Sequence, residues 1–554
     1  MFWEVFPDES IGKENRLCYL YNGGGFIRYS NPKRELAIFG TYRNIGSENF
    51  PSYSYRIQNK DKHFKQGIGF GKRGEFLDAH LIEGDTIFTV EGQCIPIDSN
   101  LDRFFLLGVL NSTLISRLLN TYSGQHKYSG YINLLPIPNV EPENEIRKSI
   151  IDKVKEIVFI KENYYAEDET TLYFNSPYLA NVNKDALTAV NFFISKLSEC
   201  ENNLVSLHSE VDDLVTKYYG INDTVSLEDL NTYAEQTPKE GVYKWSQLTK
   251  EEIRTNLAND FLSYCVGLAF GRWGTDAPKS TPVNVCIGGV IFYKDLSELA
   301  RFQSQRINKS EVYDFSIGCL KLDKIEKYVG NNKLFFDYHL QRYTCSGRTS
   351  PLYWPLQVLS GSYTLWVYYH KITEQTLFIC VNNFVDPELV SVNDDLVALK
   401  NKTSRNKDEE KEFGRLSDLK LELEDFRDEL LRIAKFWKPD LNDGVQITAA
   451  PLWRLFQHKP WQKKLKQTWE KLEAGEYDWA HLACSIWPTR VLKKCHQDRS
   501  LAIAHEVEND LWHEVEVIKP RKKEPVLEWQ PKSLSDTELN AYIQNKIQIE
   551  GLGE

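Results

Sequence analysis

Long amphipathic helices separated by regions of short alternating runs dominate this chain. Residues Glu143 to Tyr164 and Lys184 to Tyr219 repeat their apolar positions at helical spacing, including the heptad-like series Leu204, Leu207, Val211 and Leu214. Leu396 to Trp437 is a charged amphipathic stretch that predicts one helix or a helical hairpin. Residues 1–100 are rich in Gly, Tyr and short alternating runs, which are typical of strands and loops. The pattern predicts a mixed α+β protein.

The order of these regions predicts two α/β lobes joined and flanked by long helices, with a helical C-terminal part. A helix from Leu101 to Leu119 and then Pro136 and Pro138 end the first lobe. The alternating run after Gly361 predicts a half-buried strand in the second lobe. The predicted domains are a first lobe at 1–140, a helical spacer at 141–225, a second lobe at 226–395, the charged helix or hairpin at 396–437, a Trp-rich helical domain at 438–515, and a linker and tail at 516–554.

Composition is that of a globular intracellular chain. The 554 residues suggest about three or four domains, with 42% hydrophobic and 26% charged residues. No apolar run approaches the ~18 residues of a membrane span, and the first residues lack a signal-peptide pattern. We therefore expect a cytoplasmic protein with no membrane partner.

The ten cysteines are scattered without a C-x-x-C pair, as expected for reduced and mostly buried thiols. The best metal candidate is the group His481, Cys484, Cys495 and His496, but its spacing fits no standard zinc pattern. No metal site is predicted.

Several blocks along the chain carry a family resemblance. They are Phe2 to Val5, FFLLGVLNSTLISRLLN (104–120) with Lys127, Tyr128 and then LPIP (135–138), VDDLVTKYYGI (211–221), LSYCVGLAFGRW (262–273), the segment Arg342 to Tyr369, PDLNDGVQITAAPLW (439–453), GEYDWAHLACSIWPTRV (475–491) and DRSLAIAHEVE (498–508). In this order they resemble the C-terminal target-recognition region of BREX (PglX-like) and type IIG-like adenine-specific DNA methyltransferases. The resemblance covers residues 2 to 512, and it makes the two lobes target-recognition lobes.

The resemblance implies a DNA-reading part without the catalytic methyltransferase domain. The family's Asn-Pro-Pro-Tyr loop holds an extruded adenine, and the nearest match here, Asn175 to Tyr178, has Ser176 at its second position. No Gly-rich cofactor turn precedes it. We expect no catalytic or cofactor-binding residues here, a chain inactive by itself, and S-adenosylmethionine on a partner or on a missing N-terminal domain. The implied partners are double-stranded DNA, a methyltransferase catalytic subunit or domain, and other defence-system proteins.

A basic window lies between Ser54 and Arg73, in the region predicted to form strands and loops. Between residues 54 and 73, six basic residues face one acidic residue, a local balance of +5, although the whole chain carries −11. Basic side chains position a protein on phosphates, and Asn, Gln and Arg read base edges. The predicted DNA contacts are Arg56, Gln58, Asn59, Lys60, Lys62, Lys65, Lys72 and Arg73. The alternative is a solvated strand edge with charged residues.

Three further groups are candidate DNA contacts. Lys127 and Tyr128 stand in the block that ends at LPIP, and Arg342 and Arg348 flank a Cys-Ser-Gly turn. Lys463, Lys464 and Lys466 lie in a Trp-rich basic window, where phosphate contact competes with packing of a small helical core. The turn at Arg348 could equally be a structural corner.

Three functions remain open on the sequence. The first is the sequence-specific DNA-recognition portion or subunit of a site-specific adenine-N6 DNA methyltransferase, used in phage defence or restriction-modification. The second is a truncated remnant, or a protein-binding scaffold of a defence complex without its own DNA specificity. The third is an enzyme with a divergent methyltransferase or nuclease site, which the missing motifs disfavour.

Overall fold

The protein has a mixed α+β fold with small sheets and many helices, as the sequence predicts. A computed structural model describes residues 2–4, 17–32, 35–38, 59–137, 144–183, 185–242, 244–273, 285–330, 334–345, 347–518 and 525–552. Helices make up 59% and strands 11%, which confirms the predicted class. The described residues form two compact units: the first runs up to Phe261 without Glu4, and the second comprises Glu4 and the residues from Leu262.

The first unit contains two three-stranded sheets. One has the order β2-β1-β5, with β2 antiparallel and β5 parallel to β1, and the other is an antiparallel sheet of order β4-β3-β6. The strands are β1 Leu17–Tyr21, β2 Glu35–Ile38, β3 Gly67–Gly71, β4 His80–Ile82, β5 Thr86–Phe88 and β6 Gly92–Pro96. The helices are α1 Asn100–Asn111, α2 Thr113–Ser123, α3 Ser129–Ile132, α4 Glu145–Tyr165, α5 Tyr178–Asn181, α6 Ala186–Tyr218 and α7 Thr224–Gln236, and α8 Lys250–Phe270 crosses into the second unit.

The prediction of a single helix from Leu101 to Leu119 is wrong. Helices α1 and α2 meet at Ser112 with a bend of 63°. The Ser112 hydroxyl donates to the Val109 carbonyl at 2.7 Å and accepts from the Ile115 amide at 3.4 Å. One serine therefore ends the first helix and caps the next, as Ser does at helix N-termini.

The two long helices predicted at 143–164 and 184–219 are confirmed as α4 and α6. They pack on each other and, together with α1, bury apolar faces that include Val154, Leu204 and Val211. They lie inside the first compact unit, whereas the sequence predicted a separate spacer at 141–225. Each helix buries one apolar face against its neighbours and exposes its polar face, as amphipathic helices of a globular protein do.

The second unit contains a sheet of order β10-β11-β7 and two separate hairpins, β8-β9 and β12-β13. The strands are β7 Val290–Phe292, β8 Thr344–Cys345, β9 Arg348–Thr349, β10 Tyr353–Gln357, β11 Thr364–Tyr368, β12 Trp512–Val517 and β13 Val526–Pro531. The helices are α9 Tyr293–Arg306, α10 Ser310–Cys319, α11 Ile325–Gly330, α12 Phe335–Arg342, α13 Thr376–Ile379, α14 Asp386–Lys400, α15 Lys407–Ala434, α16 Val445–Ala449, α17 Lys459–Glu473, α18 His481–Ile486, α19 Pro488–Cys495, α20 Arg499–Ala504, α21 Glu508–Leu511 and α22 Asp536–Glu550.

The strand predicted after Gly361 exists, but the half-buried interpretation is wrong. All ten residues of β10 and β11 are buried. Buried His339 receives hydrogen bonds on Nε2 from the amides of Leu352 and Tyr353, at 2.8 and 3.2 Å. Through His339, helix α12 thus fixes the start of β10, the strand that pairs with β11. Large aromatic side chains cover both faces of this pair.

The predicted charged helical hairpin is confirmed as α14 and α15, although it begins earlier, at Asp386. Six of the seven predicted apolar positions are buried in α15, whereas Leu421 is 62% exposed. Exposed Asp418, Asp425 and Asp428 follow one side of α15. Part of the stretch predicted as a linker and tail forms β13 and pairs with β12 before the expected helix, α22.

Among the helices of the described ranges, none is by itself long and apolar enough to cross a membrane; the bent pair α1–α2 meets that test of length and composition only when its two helices are joined.

Candidate nucleic-acid interface

The end of β3 and the loop between α2 and α3 form one surface of the first unit. Arg73 and His126 make an antiparallel bridge. The Lys127 amide donates to the Lys72 carbonyl at 2.7 Å, and the Gly74 amide donates to the Gln125 carbonyl at 3.0 Å. These main-chain bonds bring together two basic segments that lie about fifty residues apart in the sequence.

The loop is also tied to β6 through Gln93. Its side-chain amide donates to the Lys127 carbonyl at 3.2 Å and accepts from the Ser129 amide at 2.6 Å. Alternation along the loop then turns Lys127 inward and leaves His126 and Tyr128 outward. The backbone, and not the outward side chains, fixes the loop.

Lys127 is an internal anchor of this loop. It is only 1% exposed, and its ammonium donates to Asn120 Oδ1 and to the Gly124 carbonyl. Burial lowers the pKa of Lys127 to about 8. The predicted role of Lys127 as a DNA contact does not fit this position, because its donors are directed into the protein.

The outward side chains are cationic, polar and aromatic. Arg73 is 71% exposed and Tyr128 is 43% exposed, and Gln125 and His126 also face solvent. The rings of His126 and Tyr128 are stacked at 21° with centroids 6.1 Å apart. We call Arg73, Gln125, His126 and Tyr128 the loop surface. Its elements match those of nucleic-acid surfaces, where arginine contacts phosphate or guanine and rings stack on bases.

Glu91, immediately before β6, holds the two cations at the edge of the loop surface. Its Oε1 lies 2.8 Å from Lys72 Nζ, and its Oε2 lies 3.4 Å from Arg73 Nε. Bonding to Lys72, with the charges of Lys72 and Arg73, lowers the pKa of Glu91 below its usual value. Lys72 Nζ also lies 5.2 Å from the centre of the Tyr128 ring. Lys72 is therefore paired with Glu91 and lies against the Tyr128 ring, and Arg73 is the more accessible of the two cations.

The described remainder of the first basic window lies at the other end of β3. Arg56 and Gln58 fall outside the described residues. Lys60 begins a short 3-10 helix, Lys60–Lys62, but its side chain is likewise not described. Asn59, Lys62 and Lys65 are exposed, and Lys62 pairs with Asp61 at 3.1 Å. Five strand residues separate the two ends, about 17 Å at the usual rise. The described residues of the window thus form two groups and not one patch.

Helix α17 presents a separate basic face on the second unit. Its buried side carries Trp461, Leu465, Thr468 and Leu472. Lys463 and Lys466 are exposed, whereas Lys464 leans over the Trp461 ring at 5.9 Å and burial lowers its pKa. Lys466 lies 5.4 Å from the centre of the Trp453 ring. Two of the three predicted lysines are thus available to a phosphate.

The two predicted arginines near the Cys-Ser-Gly turn differ in exposure. Arg342 is half-buried at the end of α12, and Arg348 is exposed at the start of β9. Gly347 precedes it with φ +76°, the left-handed conformation that a tight hairpin requires here. Only Arg348 has the exposure that a DNA contact needs.

A buried charge network in the first unit was missed by sequence reasoning. Arg28 bonds to Glu240 and, at 3.0 Å, to His208 Nε2. Lys161 Nζ lies 2.6 Å from Glu240 Oε2, and the Tyr29 hydroxyl lies 2.6 Å from His208 Nδ1. Burial, reinforced by Arg28, lowers the pKa of His208 to about 3, so the ring is neutral. We name these five residues the buried charge network.

The network is buried inside the first unit, and its charges are paired with one another. Arg28 and Glu240 are only 2% and 6% exposed. Burial alone would raise the pKa of Glu240, but Arg28 and Lys161 hold it at about 2. Charges buried in this way persist only when paired. The network members lie far apart in the sequence, and no local pattern marks them.

Two other sequence candidates have structural roles. The Tyr178 ring packs on Phe193 with centroids 4.7 Å apart, and its hydroxyl donates to the Ala189 carbonyl. It would have to leave these contacts to stack on a base. His481 pairs with Asp443 at 3.2 Å, and His496 bonds to the Lys532 carbonyl. Within the described ranges no group of His, Cys, Asp and Glu side chains could hold a metal ion.

No protein-family model matches the chain, and no curated protein matches it significantly.

Proposed function

We propose that this chain is the sequence-specific DNA-recognition portion or subunit of a site-specific adenine-N6 DNA methyltransferase, acting in phage defence or restriction-modification. The observation that carries the proposal is the loop surface, where exposed Arg73 stands beside a stacked and exposed His126–Tyr128 pair. The family-like blocks of the sequence supply the reaction class. The S-adenosylmethionine and the methyl-transfer chemistry belong to a partner or to a further domain.

Each side chain of the loop surface has a distinct physical role in this proposal. The Arg73 guanidinium binds a phosphate or the O6 and N7 edge of a guanine. The exposed rings offer stacking faces to a base that leaves the helix, as it must for methylation within a duplex. The Gln125 amide can both donate and accept at a base edge. The chain itself moves no proton and forms no covalent bond.

The basic face of α17 contributes contacts without sequence information. Lys463 and Lys466 lie three residues apart on the exposed side of one helix, so both can follow a phosphate backbone. Trp453 lies between Lys466 and Arg454, whose charged groups are 5.4 and 5.3 Å from the ring centre. Variants at these lysines should weaken binding to every sequence alike.

A protein-binding scaffold is the second candidate, and the helical hairpin α14–α15 favours it. The exposed Asp418, Asp425 and Asp428 would repel phosphates. Exposed Val390 and Val397 lie two turns apart on α14 and offer apolar contacts to another protein. The two functions are compatible if the hairpin contacts the catalytic partner.

Two measurements test the proposal. Binding of labelled duplex DNA should weaken steeply with salt, and a preferred site should resist competition by unrelated DNA. Methyl transfer from labelled S-adenosylmethionine should require this chain together with its catalytic partner. Activity of this chain alone would contradict the assignment, and a folded chain without any DNA binding would favour the scaffold.

A further inference from the structure

We infer that Glu91 occupies the place of a DNA phosphate on the loop surface, and that its charge limits how tightly this chain binds non-specific DNA. The inference rests on the proposed function. It concerns one carboxylate held between two cations that the sequence marked as DNA contacts.

The geometry of Glu91 is that of a bound anion. Its two oxygens face different cations, Lys72 at 2.8 Å and Arg73 at 3.4 Å. A phosphodiester also presents two oxygens that share one negative charge. Both anions therefore fit the same pair of cations, and they compete for it.

The competition is possible because the pair is within reach of solvent. Glu91 is 45% exposed and Arg73 is 71% exposed, whereas Lys72 is only 13% exposed, so the competition takes place mainly at Arg73. Exposed ion pairs contribute little to stability, so a phosphate can displace the carboxylate at small cost. Lys72 remains beside Tyr128 and thus stays at the edge of the loop surface.

The backbone at Glu91 is held independently of its carboxylate. Its carbonyl accepts from the Lys72 amide at 3.1 Å, and its amide donates to Thr89 Oγ1 at 3.2 Å. A Glu91→Gln variant keeps these bonds and the side-chain size, and it loses only the charge. We therefore expect it to fold normally.

The consequence is a threshold for DNA binding. Non-specific DNA offers only phosphates, so the displacement of Glu91 costs binding free energy that no base contact offsets. A preferred site adds base contacts from Arg73, Gln125 or the rings, which offset the displacement. Removal of the charge should therefore strengthen the binding of non-specific DNA.

The test is fluorescence anisotropy of a labelled mixed-sequence duplex over a salt series. Glu91→Gln should bind roughly two- to fivefold more tightly at low salt, the range expected for an exposed ion pair. The slope of log K against log salt should steepen by about one for each phosphate gained. Glu210→Gln is the matched control, since Glu210 pairs with Lys153, which is not a predicted DNA contact. It should bind like the wild type.

A second pair of variants separates the possible failures. Arg73→Ala should weaken binding, and Arg73→Ala combined with Glu91→Gln should lose most of the gain. If Arg73→Ala weakens binding while Glu91→Gln matches the wild type, the inference is overturned and the proposed function stands. If the folded wild type and every variant fail to bind at low salt, the proposed function fails, and the inference with it.

Discussion

Lys127 lies in the motif that the sequence marked as a DNA contact, but its side chain is directed into the protein and not toward solvent. Its neighbours His126 and Tyr128 face solvent, so the single inward side chain of the loop is the lysine. The sequence predicted Lys127 and Tyr128 as equal partners, because an alternation of two residues cannot be assigned a direction without its pairing strand. The pairing with Lys72 and Arg73 supplies that direction.

Lys127→Ala should destabilise the protein and leave intrinsic DNA affinity unchanged. The variant leaves Asn120 Oδ1 without its ammonium donor and the Gly124 carbonyl with only the Ser123 hydroxyl at 3.5 Å, which costs roughly 1–3 kcal/mol. The measurement is chemical denaturation, with Lys62→Ala as the exposed control. Wild-type stability of Lys127→Ala would show that the lysine is no anchor.

Asp78 predicts a pH dependence of stability. Burial raises its pKa from 3.8 to about 6, although a hydrogen bond from the Gly71 amide opposes the rise. The folded state thus binds a proton more tightly than the unfolded state. The resulting stabilisation is present below about pH 4 and is lost as the pH rises through 6.

Asp78→Asn should remove this dependence, because an amide does not titrate and can still accept from Gly71. Relative to the variant, the wild type should gain roughly 2 kcal/mol of unfolding free energy as the pH falls from 7 to 4. Denaturation curves of both proteins at several pH values give the difference directly. A difference that is flat with pH would exclude Asp78 as the titrating group.

Gly108 sets the distance between two helices. A Cβ there would lie 2.8 Å from Ile150 Cγ2 and 2.9 Å from Val154 Cγ2, both on α4. Gly108→Ala should therefore destabilise the first unit by roughly 1–3 kcal/mol, the usual cost of overpacking. Gly130→Ala is the control, because a Cβ there meets no atom within 4 Å. Equal stability of the two variants would show that α1 and α4 separate easily.

Sequence periodicity predicted elements better than it predicted their neighbours. The long helices α4, α6 and α15 follow from apolar spacing alone. Their observed ends are within a few residues of those predicted, except that the stretch predicted from Leu396 begins inside α14 and α15 begins only at Lys407. The bend at Ser112 was missed because one residue serves both helices. Strand β13 was missed because its partner β12, and not its own composition, makes it a strand.

The candidate site was only partly predictable for the same reason. Arg73 and Tyr128 are the exposed residues that the sequence singled out, but His126, Gln125 and Glu91 were not. The basic residues gave the signal for the first group. A sum of charges treats Glu91 only as a negative charge that weakens a basic patch. Its role at the loop surface depends on its position between Lys72 and Arg73, which the sequence does not show.

At the scale of the whole molecule, no disulfide bond joins the ten cysteines, all of which lie in the described ranges, and they divide into two groups by burial. Cys18, Cys265, Cys380, Cys484 and Cys495 are buried, and the others are half-buried. Burial raises the thiol pKa, to about 12 for Cys18 and Cys380. Thiolates are the reactive form, so the buried group should react slowly.

Thiol titration of the native protein near pH 8 should therefore show at most five rapidly reacting groups. Addition of denaturant should release all ten. The measurement needs only a chromogenic disulfide reagent, and the unfolded protein is its internal control. Rapid reaction of all ten thiols in the native protein would contradict the packing around the buried group.

The buried charge network has a consequence for synthesis on the ribosome. Arg28 emerges early, but its carboxylate partner Glu240 emerges more than two hundred residues later, after Lys161 and His208. Until then the growing chain would have to bury two cations without their counter-charge, at a cost that no nascent lobe can meet. We therefore expect the N-terminal strands to reach their final packing only after residue 240 has been made. The part of the protein that is made first then needs protection by chaperones for the longest time.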